Sequence, residues 1–245
     1  MINNIKTITS RKDAEVLRIL NIRKSPGENG FLIEGERFIR DIPIQNIKRI
    51  YTTDAEKYKL TAKDVPEVYL VTPPVMEKIC GVKSGQDILA EVFITNTDPP
   101  DRLIFLDDVQ DSGNVGTIIR TAAAFGYGVV TSKKSASPFS EKAARSTAGA
   151  IFKCYIERMD TPDFISLYKN KYTFISSELD KNAKSPQDMA IKGRHCIIIG
   201  NEGRGVGKEI SEASDEKVYI PISNTDSLNA GIAAGILMYA FSCLQ

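Results

Sequence analysis

The stretch RLIFLDDVQDSGNVGTIIRTAAAFG, residues 102–126, decides the fold class. RLIFL is a short, almost unbroken apolar run, the pattern of a strand buried on both faces of a parallel sheet. An acidic turn and the loop DSGN follow, and VGTIIRTAAAF then has helical spacing, with Asn114 placed to cap its first turn and Gly126 to end it. Strand, loop and helix in this order make the repeating unit of an α/β sheet. Further along, YGVVTS, YTFISSE, HCIIIG and KVYIPI read as strands, with helices near SEKAARSTAGA and TPDFISLYKN and from about residue 228 onward. A parallel sheet with helices on both faces is predicted.

On the other side, TNTDPPD at 95–101 gathers turn formers around a Pro-Pro pair that neither a helix nor a central strand accepts. It divides the chain into a domain at 1–95, a linker at 96–101 and a domain at 102–245. The first domain reads as a small α/β module: a charged helix around residues 10 to 23, FLIEGERFIRD, strands at IKRIYTTD and EVYLVT, a helix near PPVMEKIC and a last strand, ILAEVFIT.

The chain of 245 residues carries a net charge of +1, but residues 1–50 hold ten Lys or Arg against six Asp or Glu. The excess positive charge lies at the N-terminal end, as a solvated surface or as an RNA-facing one. Cys80, Cys154, Cys196 and Cys243 are scattered without metal or disulfide spacing. MINNIKTITSRKDAEV has no apolar core for a signal sequence, so the cytoplasm is expected. The apolar run at 230–244 is shorter than the roughly 20 residues of a membrane helix, and it reads as a buried helix or a subunit interface. His195 is the single histidine, which leaves no multi-histidine metal site; a serine-histidine triad would depend on this one residue, with no G-x-S-x-G elbow, and a structural role is expected.

Three segments carry candidate chemistry. HCIIIGNEGRGVG, residues 195–207, packs four glycines into eight residues, so its backbone can approach a ligand closely. The dinucleotide spacing fails in every register, and the Walker pattern fails because Glu202 occupies its first glycine position. A carboxylate there opposes a pyrophosphate and suits a cationic or hydroxyl-bearing ligand such as S-adenosylmethionine, although a turn merely closing a strand has the same composition. YIPISNTDSLNAGIAAGILMY, residues 219–239, reads as a strand ending at Pro221, a polar loop and a small-residue helix beginning at Ser227 or Leu228. Ser227 and Asn229 then stand at a helix N-terminus, where they hold a ligand or simply cap. In the first segment Arg120 lies among apolar neighbours; it either snorkels to solvent or grips a phosphate with its planar fork.

Together the three segments resemble the motifs of the SpoU (TrmH-like) family of RNA 2′-O-ribose methyltransferases, within the SPOUT superfamily. DSGNVGTIIRTAAAFG is similar to the family's first motif, IIIGNEGRGV to its second and IPISNTDSLNAGIAAGIL to its third. FLIEGERFIRD, IKRIYTT and GQDILAEV resemble its N-terminal RNA-binding domain of ribosomal-protein-like α/β fold. Ser112 stands where proline is common and Asp87 where glycine is common, neither at a presumed catalytic position.

The resemblance implies a C-terminal SPOUT domain with a deep trefoil knot, a homodimer with the last helix in its interface, and S-adenosylmethionine as cofactor with no metal. It places the family's functional positions on Asn114, Arg120, Glu202, Ser227 and Asn229. It assigns cofactor binding to groups around Gly200, Asn201, Glu202, Gly203, Ile220, Leu228 and Asn229. Arg120 and Asn114 would orient the ribose, with the arginine stabilising the developing alkoxide and the proton passing to phosphate or water. Arg11, Lys12, Arg23, Lys24, Arg37 and Arg40 are the candidate RNA contacts. Large-subunit ribosomal RNA is the expected substrate and transfer RNA the second choice. The rival readings are a non-catalytic RNA-binding assembly factor of this fold and a nucleotide-dependent enzyme.

Overall fold

A computed structural model describes residues 5–58, 67–80 and 87–243. The elements run β1 (Ile5–Ile8), α1 (Ala14–Lys24), β2 (Phe31–Glu34), α2 (Glu36–Ile39), β3 (Ile47–Thr52), β4 (Glu67–Val71), α3 (Pro73–Ile79) and β5 (Ile88–Val92). They continue as β6 (Arg102–Leu106), α4 (Ser112–Phe125), β7 (Gly128–Ser132), α5 (Glu141–Ser146), β8 (Ile156–Met159), α6 (Thr161–Tyr168) and β9 (Thr173–Ser177). The chain ends with β10 (His195–Ile199), α7 (Lys208–Glu212), β11 (Glu216–Val218) and α8 (Ala230–Cys243). Contacts divide it into two units, Met1–Thr95 with Phe139–Phe152, and Asn96–Pro138 with Lys153–Gln245.

The first unit is built on a mixed sheet of order β1-β4-β3-β5-β2, with β5 antiparallel to both its neighbours. Val16 and Ile19 of α1 and Val75, Met76 and Ile79 of α3 pack on Leu32, Tyr51, Val71 and Leu89 of the sheet. Burying each such side chain contributes about 1.5–3 kcal/mol. The expected helix, strands and last strand are all present, and β1 is an addition. Gly85 and Gln86 of the expected GQDILAEV stretch lie outside the described residues.

The segment Phe139–Phe152 departs from the expected division at residue 95. The rings of Phe139 and Phe152 pack on Phe31 of β2, at 5.5 and 6.1 Å between centroids. Glu141 pairs with Arg23 at 2.8 Å, and the Arg145 guanidinium lies 5.2 Å from the centre of the Phe38 ring. Two aromatic side chains inside the second domain's sequence thus complete the core of the first unit.

The second unit holds a wholly parallel six-stranded sheet of order β11-β9-β10-β6-β7-β8. Of its central strands β10 is buried along its whole length and β6 from Leu103 onward, which is why LIFL and CIII read as unbroken apolar runs. Phe105, Phe164 and Phe174 stack through the core, with centroids 4.0 and 5.2 Å apart. Residues 96–101 are tied into this unit: Asn96 donates to the Ile156 carbonyl at 2.6 Å, while the Pro99 and Pro100 carbonyls accept from Arg194 and Tyr172. His195 is fully buried, with Nε2 2.9 Å from the Tyr127 hydroxyl. Burial pushes its imidazole below the usual range, against the opposing pull of the Gly193 carbonyl, and the Arg102 charge adds to the depression.

Two local expectations are corrected. Asp111, not Asn114, caps α4: its carboxylate accepts the Asn114 N–H at 2.9 Å, while Gly126 does end the helix with φ +72°. KVYIPI leaves the sheet after Val218, well before Pro221.

Candidate active site

A cavity of about 440 Å³ opens beside the carboxyl ends of β11, β9 and β10, the edge where parallel α/β sheets place their ligands. Residues 177–179 after β9, 199–206 after β10, and Tyr219, Ile220, Ile222, Asp226, Ser227 and Leu228 after β11 form its walls, with Ala230 and Ala233 of α8.

The loop after β10 folds back on itself. Asn201 and Gly205 exchange both backbone hydrogen bonds at 2.9 Å, and Gly205 adopts φ +69°. A Cβ on Gly200 would lie 2.2–2.3 Å from Gly205 carbon and oxygen and from the Val206 nitrogen, so only glycine permits this approach. The Asn201 side chain organises the turn: its oxygen accepts the N–H groups of Gly203 and Arg204, and its amide donates to the Asp108 carbonyl at 2.9 Å. Asp108 has φ +62° and pairs with Arg204 at 2.5 Å. The acidic turn after β6 therefore pins the glycine-rich loop, a role the sequence did not reveal.

The three motifs meet in a short hydrogen-bonded chain. Asn229 caps α8, its Oδ1 accepting the N–H groups of Gly231 at 2.9 Å and Ile232 at 3.2 Å. Its Nδ2 donates to Asn114 Oδ1 at 2.9 Å, and Asn114 Nδ2 donates to Glu202 Oε1 at 2.9 Å. Close packing of α4 on α8 makes this reach possible, since a Cβ on Gly231 would already lie 3.2 Å from Asn229 Oδ1 and 3.5 Å from Thr117 Cγ2.

Of the expected functional positions, Asn114, Glu202 and Asn229 are joined and Ser227 lines the cavity. Ser227 does not cap the helix, which starts three residues later. Arg120 is exposed, with no ion pair or hydrogen bond to any described residue. Six residues beyond Asn114, it sits about 9 Å along α4 and about 240° around it, away from Glu202 in its own chain. Gly200, Asn201, Glu202, Gly203, Ile220 and Leu228 all line the cavity, as do Leu179, Ile222 and Asp226, which sequence reading missed. These three lie in irregular stretches where no periodicity marks them.

The walls fit S-adenosylmethionine. Apolar Ile199, Ile220, Ile222 and Leu228 offer a face for a heterocycle, and three carboxylates, Glu178, Glu202 and Asp226, outnumber the lone cation Arg204. Such a lining favours a cation over a pyrophosphate.

The sequence signature of the SpoU rRNA Methylase family matches residues 101–239. The chain belongs to this family. It is an S-adenosylmethionine-dependent RNA 2′-O-ribose methyltransferase. Among its relatives is the 23S rRNA (guanosine(2553)-2′-O)-methyltransferase RlmP of Bacillus subtilis, 28% identical over 248 residues, which span 96% of this chain and 98% of that protein. An uncharacterized tRNA/rRNA methyltransferase of Archaeoglobus fulgidus is 35% identical over 57% of this chain and 63% of its own length. The crystal structure of an rRNA methyltransferase from Sinorhizobium meliloti superposes with a TM-score of 0.80 at 25% identity, covering 97% of both chains. Its AdoMet-bound form gives 0.78, covering 96% of this chain and 97% of that one.

The methyltransferase's expected RNA contacts are placed unevenly. Lys12, Lys24 and Arg37 are exposed and without an ion-pair partner among the described residues. Arg11 pairs with Glu77 at 2.7 Å and Arg40 with Glu36. Arg23 is committed inside the first unit, to Glu34, to Glu141 and to the Ile79 carbonyl. Arg18 and Arg49, which the sequence did not single out, converge on the buried Glu91. No helix among the described residues is long and apolar enough to cross a membrane.

Proposed function

We propose that this enzyme methylates a ribose 2′-hydroxyl of large-subunit ribosomal RNA in the cytoplasm, with the N-terminal unit selecting the RNA and the C-terminal unit, knotted around the cavity, carrying the reaction. The joining of Asn114, Glu202 and Asn229 at the cavity edge supports the catalytic part most strongly, because three separated segments spend their polar groups on one another there. The RlmP relative, alike over nearly the whole chain, supports the choice of RNA.

Loop 200–206, Ile220 and Leu228 would hold the cofactor, which supplies an electrophilic methyl group when bound. Asn229 fixes the start of α8, Asn114 spans to Glu202, and Ser227 offers a hydroxyl to the cavity. Arg120, without an ion pair or hydrogen bond among the described residues, grips an RNA phosphate. Of the six candidate contacts, Lys12, Lys24 and Arg37 are the ones available to position RNA, since phosphate contacts position while shape and unpaired bases specify.

Ile232, Ile236 and Tyr239 of α8 are 54%, 39% and 60% exposed at helical spacing, although the helix is apolar nearly all round. The expected burial on both sides is absent in the single chain, and this face is the one we assign to a homodimer. Sedimentation reads it: a dimer that dissociates in Ile236→Glu is expected, and a monomeric wild type contradicts it.

Mapping ribose methylation in total RNA from cells with and without the protein tests the substrate. Loss of one methyl group in large-subunit ribosomal RNA is expected. Loss in transfer RNA moves the assignment there, and no loss favours the assembly factor.

A further inference from the structure

We infer that Glu202 Oε2 is the proton acceptor for the target 2′-hydroxyl and that Asn114 is the positioning residue that aims it; this rests on the reading above. Backbone N–H groups can only donate, so the Gly231 and Ile232 contacts fix the Asn229 side-chain oxygen toward α8. Asn229 Nδ2 then faces Asn114 as a donor, which fixes Asn114 Oδ1 there and turns Asn114 Nδ2 toward Glu202. Helix α8 thereby dictates the orientation of every group in the chain, and Glu202 Oε1 ends it as an acceptor.

The second carboxylate oxygen, Oε2, has no hydrogen-bond or ion-pair partner among the described residues, and no cation neutralises the group. Arg204, its neighbour in the loop, is spent on Asp108 at 2.5 Å. The other carboxylates of the cavity are less suited. Glu178 is paired with Lys217 at 3.1 Å and its other oxygen, though without a hydrogen-bond partner, is buried, and Asp226 is exposed in a turn with no hydrogen bond among the described residues to orient its side chain. Of the three, Glu202 alone is exposed, held by a neutral donor and without a cation partner among the described residues. In the reaction the 2′-oxygen gains the methyl carbon and gives up its proton to Glu202 Oε2, while sulfur keeps the electron pair of the bond that breaks. This replaces the transfer to phosphate or water expected from the sequence, and it leaves Arg120 as a charge stabiliser.

The test uses an RNA oligomer spanning the mapped nucleotide, with ribose or 2′-deoxyribose at the target, bound in the presence of S-adenosylhomocysteine. Wild type should bind the ribo form about ten-fold more tightly, the range of one hydrogen bond to a charged group. Glu202→Gln and Asn114→Ala should lose this preference while keeping their melting temperature, each variant being assayed at saturating S-adenosylhomocysteine. Single-turnover methylation should fall about 10²–10⁴-fold in Glu202→Gln, the range of a lost general base, and formate should partly restore it in Glu202→Ala. Three outcomes overturn the inference: weakened cofactor binding with the ribose preference intact, full activity in Glu202→Gln, or loss of the preference in Asp226→Asn instead. If wild type methylates no ribose, the reading beneath fails; if it does and Glu202→Gln equals it, only this inference fails.

Discussion

Replacing Gly200 by alanine should disable the cofactor pocket without unfolding the protein. The added Cβ would sit 2.2 Å from the Gly205 carbonyl carbon and 2.3 Å from its oxygen and from the Val206 nitrogen, all backbone atoms that cannot rotate away. Relief requires that strand of the turn to retreat by about 1 Å or more, which breaks the paired Asn201–Gly205 hydrogen bonds. Each of the two bonds is worth roughly 0.5–1.5 kcal/mol, and overpacking adds roughly 1–3 kcal/mol, so the bound form is destabilised by about 2–6 kcal/mol. At 1.4 kcal/mol per decade, S-adenosylmethionine affinity should drop at least roughly 30-fold, and up to roughly 20,000-fold, by calorimetry. The loop opens locally, so the melting temperature should change little. Gly27→Ala is the control, because its Cβ would meet nothing within 4 Å and the residue does not line the cavity, and it should bind normally. Wild-type affinity in Gly200→Ala would refute the reasoning.

Arg23→Ala should lower stability by about 3 kcal/mol in urea melts, since it takes the arginine partner away from the buried Glu34 carboxylate, whereas Arg37→Ala should stay within about 0.5 kcal/mol. An equal, small effect of both would return Arg23 to the RNA surface. His195 makes the fold acid-sensitive. Its folded-state pKa lies below the unfolded value of about 6.5, so its contribution is complete above that value and is lost as pH falls through the folded one. Urea midpoints of wild type should therefore drop more steeply than those of His195→Gln between pH 7.5 and 5.5, and parallel slopes would contradict this. Arg120→Lys keeps the charge and loses the fork; slowed single-turnover methylation is expected, and full activity would remove the bidentate grip.

The sheet of the second unit was legible because parallel strands buried on both faces leave no polar alternation to misread. RLIFL coincides with β6, and HCIIIG with β10 except for Gly200, which begins the loop. The site was legible as three motifs but not as an arrangement. Nothing in the spacing of Asn114, Glu202 and Asn229 says that they touch, because contacts between residues 88 and 115 positions apart are set by the packing of α4 on α8. Capping was misread for a physical reason: Asp111 and Asn114 are both good caps one turn apart, and the helix takes the earlier. The boundary at residue 95 was readable from Pro99 and Pro100, but the return of Phe139 and Phe152 to Phe31 was not, since tertiary packing of aromatic rings leaves no local pattern. For the same reason, deleting residues 1–95 is a poor probe of the division of labour, as it strips those rings of their partner; surface variants at Lys12, Lys24 and Arg37 are the better choice.

Nucleoside mass spectrometry of ribosomal RNA incubated with the purified enzyme and methyl-labelled S-adenosylmethionine addresses the central claim most directly. Label confined to a 2′-O-methylated nucleoside, and absent with Gly200→Ala, is the predicted result. Label on a base, or no transfer to RNA lacking the native modification, would contradict it.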